Sequence, residues 1–111
     1  MNEIKTSLET LPEEIYKAAS EMNQKRLEID KAKLNLDIAS AHSLLRAEGT
    51  VAQKEATATI ETEKYQKELL LANYNYHEAE IEVNRLKDQF DAQRKIASLQ
   101  ISENEILKIG G

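Results

Sequence analysis

The sequence of 111 residues has no cysteine and no tryptophan, a single proline, a single phenylalanine and three glycines, two of them at positions 110 and 111. Without cysteine there are no disulfide staples, thiolate metal sites or cysteine nucleophiles. With Gly49 the only internal glycine, no glycine-rich turn can cradle a phosphate between a strand and a helix. No stretch approaches the roughly 20 apolar residues needed to span a bilayer, and Met1–Lys5 lacks the apolar run of a secretory leader. These absences predict a cytoplasmic protein with no cofactor, no metal site and no catalytic cleft.

The sequence is also short of net positive charge. Fifteen basic residues face 20 acidic ones, a formal net charge of -5. That balance opposes indiscriminate attraction to nucleic acid, which depends on basic side chains displacing counterions. Apolar residues at 41% and charged residues at 32% are too hydrophobic for a disordered acidic tail and too polar for several buried layers. One thin domain is the expected outcome.

What remains is helix-forming residues set at a regular interval. Leu69, Ala72, Tyr76, Ala79, Val83, Leu86 and Phe90 recur at alternating steps of three and four, which keeps them on one narrow seam of a helix that must meet another helix. Ile15, Met22, Ile29 and Leu36 repeat at sevens with Ala18, Ala32 and Ala39 between them, and Lys25 interrupts the row of small residues. The expected fold is therefore all-α, a long antiparallel helical hairpin of coiled-coil type that assembles into a multi-helix oligomer.

Boundaries follow from caps. Thr10-Leu11-Pro12-Glu13 reads as a capped helix start, so helix A is expected over 11–47, preceded by a short leading helix or arm over 1–10. Glu48-Gly49-Thr50 provides the turn, over 48–50, because Gly49 can take a left-handed conformation and Thr50 with Gln53 forms a capping box. Helix B is expected over 51–101, about 75 Å at 1.5 Å per residue. Folding back at Gly49 predicts Met22 opposite Tyr76 and Ile15 opposite Val83. Residues 102–111 lose the seam and read as a flexible tail, with Ile106 and Leu107 able to dock in a groove.

Enzymatic chemistry finds no foothold. His42 and His77 are the only histidines, far apart in the expected hairpin and without carboxylate-histidine spacing, so they read as surface residues. The carboxylates Glu61, Glu63, Glu78, Glu80 and Glu82 lack a cleft to desolvate one of them. The terminal Gly110-Gly111 is similar to the tails of ubiquitin-like proteins, yet this sequence does not encode their compact mixed fold.

Surfaces carry the functional expectations instead. Leu27, Leu34, Ile38, Ala41 and Leu45 form a second apolar stripe on helix A, and Leu70, Tyr74, His77 and Ile81 share the back of helix B, a composition suited to an interface core. A second copy or a foreign protein can cover such faces. Glu61, Glu63, Glu78 and Glu82 are candidate acidic contacts to a basic partner surface. Lys17, Arg85, Lys87, Arg94 and Lys95 are candidate phosphate contacts, interleaved with Glu21, Asp88 and Asp91 in the manner of a solvated face.

Thr50-Val51-Ala52-Gln53-Lys54-Glu55-Ala56, followed by Tyr65, the Leu69–Phe90 seam and Arg94-Lys95, resembles small helical coiled-coil proteins encoded by temperate phages of Gram-positive bacteria. The resemblance lies mainly in helix B. It implies a place near recombination and single-strand-binding genes and carries over no catalytic residue. Composition and resemblance together predict a non-enzymatic protein-binding module, an inhibitor or adaptor of a DNA-processing or antiviral-defence machine. Two alternatives stay open: a DNA-binding accessory of phage recombination or replication, and a purely structural oligomer.

Overall fold

A computed structural model describes the backbone of residues 2–110 and the side chains of residues 3–104. It comprises three α-helices, α1 (Asn2–Arg46), α2 (Val51–Glu61) and α3 (Glu63–Gly110), with no strand among the described residues. The chain packs as two units, Met22–Glu78 and a second made of Met1–Glu21 with Ala79–Gly111.

The unit Met22–Glu78 is a helical hairpin. Near its turn the Ser43 hydroxyl donates to the Glu61 carboxylate. Farther from the turn, Ile29 and Ala32 of α1 form a buried cluster with Ala72 of α3, covered by Leu69 and Tyr76. The two helices therefore run antiparallel. Alanine on both sides of the seam keeps the side-chain layer thin, which lets helix axes approach closely.

The register differs from the expected one by a heptad, because Ile29 rather than Met22 sits in the cluster with Tyr76. Seam spacing repeats every seven residues, so it cannot distinguish registers separated by one repeat. The link decides. Thr50 is extended, with φ -72° and ψ 166°, and residues 47–50 carry the chain past the end of α1 before α2 starts.

Local chemistry at the link is well satisfied. The Ala47 amide donates to the Ser43 carbonyl at 3.0 Å, and Gly49 takes a φ of 110°. The Gln53 amide donates to Thr50 Oγ1 at 3.2 Å while the Thr50 amide donates to Gln53 Oε1 at 2.9 Å, a complete capping box.

Where the sequence predicts one helix over 51–101, the structure has two, separated at Thr62. The helix preceding the break is rich in threonines that bond back onto its own carbonyls. Thr57 Oγ1 donates to Gln53 O and Thr59 Oγ1 to Glu55 O, each at 2.9 Å, and Thr62 Oγ1 donates to Ala58 O at 2.6 Å. Such back-bonding competes with the helical ladder and bends helices. The Gln66 side-chain amide repairs the gap by donating to the Thr59 carbonyl at 3.0 Å and to Thr62 Oγ1 at 3.1 Å.

In the second unit Leu11, Val83 and Leu86 are buried, and Ile4, Leu8, Ile15 and Ala18 are half-buried at the same three-four spacing. The separate leading segment expected over 1–10 is absent, for α1 runs unbroken through Pro12. Thr10 Oγ1 donates to the Thr6 carbonyl at 3.0 Å, a bond made inside a helix rather than at its cap. An interior proline costs about 3 kcal/mol in a helix. Burial of seam residues on both sides of Pro12, each worth about 1.5–3 kcal/mol when complete, offsets it.

At the other end, α3 continues to Gly110 where the sequence predicts a flexible tail from 102. The expected docking of Ile106 and Leu107 lies outside the described side chains. Gln93 and Gln100 occupy the seam of α3 seven residues apart, and the side-chain carbonyl oxygen of each is buried without a hydrogen-bond partner among the described residues.

Two outcomes test this packing. A Cβ at Gly49 would stand 2.3 Å from Gln53 Oε1, on a backbone that side chains rarely adopt. Gly49→Ala should therefore lower the unfolding free energy by about 1–3 kcal/mol in chemical denaturation, through strain and loss of the capping box. Gln93→Leu with Gln100→Leu should raise it by about 1 kcal/mol per orphaned carbonyl removed. A denaturation midpoint left unchanged by the leucines would mean those amides are satisfied in solution.

Candidate functional site

Every helix in a two-helix hairpin has one face turned inward and one turned out, and here the outward faces hold the apolar surplus. On α1, Leu27, Leu34, Ile38 and Leu45 are 63%, 58%, 49% and 84% exposed. With the exposed Ala41 they follow steps of seven, four, three and four, which at 100° per residue places them opposite the buried seam. On α2 and α3, Ile60, Leu70, Leu71 and Tyr74 are exposed, and His77 is exposed beside them. Ile81 continues that spacing into the second unit and is exposed as well. Within the unit Met22–Glu78, Leu70, Tyr74 and His77 thus share one open face of α3.

The candidate acidic contacts are less available. Glu61 accepts from Ser43 and lies 3.9 Å from Arg46. Glu63 pairs with Lys67 at 3.1 Å, and Glu82 with Arg85 at 2.7 Å, the latter joined by a second hydrogen bond from Arg85 Nε at 3.0 Å. Glu78 is exposed and makes no such pair among the described residues. Three of the four carboxylates are therefore already engaged by a cation or hydroxyl of their own chain.

A similar sorting applies to the basic candidates, all of which lie in the second unit. Lys17 is 3.7 Å from Glu13, Arg85 is held by Glu82, and the Arg94 guanidinium lies 5.7 Å from the centre of the Phe90 ring. Lys87 and Lys95 are exposed and make no ion pair among the described residues. The bond from Arg85 holds the Glu82 carboxyl below the ordinary glutamate value, and Glu82, with a smaller push from Glu14, raises Arg85.

Near the hairpin turn the structure shows a polar recess that the sequence reading missed. Asn35, His42, Ser43, Arg46, Glu61, Thr62 and Tyr65, with Ile38 and Ala39, line about 390 Å³ of open space. Ser43 and Thr62 are its buried floor, each 2% exposed. Both fall on seam positions, Ser43 four residues after Ala39 and Thr62 three before Tyr65, so extending the three-four count would have found them. The recess offers hydrogen-bonding groups, and no cluster of three metal-ligating side chains occurs among the described residues.

No known family, curated protein or solved structure matches the chain. No helix among the described residues is long and apolar enough to cross a membrane.

The Glu82–Arg85 pair gives a direct solution check. Because the folded value for Glu82 lies below the unfolded one, the stabilisation it gives is present above the unfolded value and is lost as pH falls through the lowered one. Its carboxyl should titrate below the ordinary glutamate value by NMR, and Arg85→Gln should raise it. The pair is fully exposed, so the effect on global stability should be small.

Proposed function

We propose that the chain is a non-enzymatic protein-binding hairpin that self-associates and serves as inhibitor or adaptor of a DNA-processing or antiviral-defence machine, of phage type and acting in the host cytoplasm. The observation that carries this reading is the open face of Leu70 and Tyr74, 72% and 59% exposed, with His77 beside them. Tyrosine flanked by aliphatic residues supplies contact area at small entropic cost and anchors interfaces. A net charge of -5 favours a protein with a basic surface over a nucleic acid. Glu78, which no cation among the described residues engages, is the carboxylate near that face best placed for such a contact.

DNA binding is the second reading, favoured by Lys87 and Lys95, which no carboxylate among the described residues pairs. A purely structural oligomer is the third.

One experiment separates them. The tagged chain is passed through a lysate of infected cells and the captured material identified. A DNA-processing or defence protein should be retained, and Leu70→Glu with Tyr74→Glu should reduce its recovery at least tenfold while His42→Ala leaves it unchanged. Retention of DNA at low salt, lost steeply as salt rises and weakened by Lys87→Gln with Lys95→Gln, would favour the second reading. Recovery of neither, from a chain that still assembles, would leave only the structural one.

A further inference from the structure

We propose that the occupant of the open α1 face is the open α3 face of a second copy, so that hairpins add side by side and each new contact repeats the geometry inside the hairpin. The inference rests on the reading of the outer faces as binding surfaces and names which face meets which. Three observations of the unit Met22–Glu78 carry it.

The first is spacing. Leu27, Leu34, Ile38, Ala41 and Leu45 keep the steps of a coiled-coil seam although nothing covers them, and such a seam is complementary to another long helix rather than to a flat or concave surface. The chain itself supplies a helix of that kind, with an outer face of its own, α3.

The second is register. Ser43 lies beside Glu61 in the hairpin, so each step back along α1 is matched by one step forward along α3. Applied to the outer faces of two copies, that rule sets Leu34 level with Leu70 and Leu27 with His77, and brings Leu45 to Thr59, one residue from Ile60. It also sets Asp37 level with Lys67 and Arg26 with Glu78. Leucine thus meets leucine at the middle of the contact, and those two charged pairs are of opposite sign.

The third is charge. Within this unit α1 contributes five basic and three acidic residues over 22–46, whereas residues 51–78 contribute three basic and five acidic. The α1 side is net positive and the α3 side net negative. Face-to-back stacking pairs unlike sides, while α1 against α1 or α3 against α3 pairs like ones. A contact between two different faces is heterologous, so it propagates until a ring closes or a filament grows.

Complementary variants test the arrangement. One carries Leu34→Glu with Leu45→Glu on the α1 face, the other Leu70→Glu with Tyr74→Glu on the α3 face, each checked for helix content by circular dichroism. All substituted positions are exposed, so the hairpin should stay folded. By sedimentation at micromolar concentration the unaltered chain should form species larger than a dimer, each variant alone should be monomeric, and their mixture should give a dimer of one copy of each. The mixture succeeds because the variants retain opposite halves of one contact. A variant that dimerises alone, or a mixture that stays monomeric, overturns the pairing in favour of like faces or none. An unaltered chain that stays monomeric overturns the stacking outright. These measurements use purified protein, so they fail independently of partner capture from lysate, which judges the functional reading.

Discussion

The contact between Ile29, Ala32 and Ala72 is the constraint on which the hairpin Met22–Glu78 depends. A seam only one side chain wide gives each helix a single inward stripe, so its stability rests on closeness rather than on a deep core. Alanine provides closeness, since a methyl group holds two helix axes no farther apart than their backbones require. It also gives up burial, because an alanine removes little apolar area from water. The result is a hairpin with few fully buried residues and much aliphatic surface left over. That surplus follows from the architecture, since a pair of helices can hide only the faces they turn to each other.

Polar residues placed in the seam play a different part from the apolar ones. Ser43 and Thr62 interrupt it near the turn, where the Ser43 hydroxyl donates a hydrogen bond to the Glu61 carboxylate and the Thr62 hydroxyl donates one to the Ala58 carbonyl. Both are satisfied by these bonds, so their burial costs little. Gln93 and Gln100 behave otherwise. Each leaves a carbonyl oxygen buried and unpaired, a cost that weakens the seam of the second unit. A polar residue in a seam commonly trades stability for a defined register or partner number.

Much of the fold could be read from residue order, and the failures share a cause. The seam from Leu69 to Phe90 and the capping box at Thr50 are local patterns, and local patterns survive into the structure because nothing in the fold opposes them. Register is not local. A repeat of seven looks the same after a shift of seven, and only the extended path of residues 47–50 breaks the degeneracy. Pro12 and Thr62 reverse each other's expectation: the residue expected to begin a helix lies inside one, and the residue expected inside a helix separates two. At Pro12 seam burial outweighs propensity, whereas at Thr62 hydroxyls bonding back to helix carbonyls compete with the ladder. The open faces were legible as apolar stripes, but Glu61, Glu63 and Glu82 were not legible as occupied, because their cations and hydroxyl become neighbours only once side chains are placed.

That occupancy bears on how such a surface can choose a partner. A carboxylate already held by its own lysine or arginine offers a partner little, since a new cation must displace the old one and the exchange is nearly neutral in water. Steering by charge then falls to the difference between whole sides of the hairpin, and affinity to the aliphatic and tyrosine contacts. A partner drawn by the net negative α3 side would meet Leu70 and Tyr74 first. The α1 side of the hairpin is its complement, net positive over 22–46 and bearing exposed leucines.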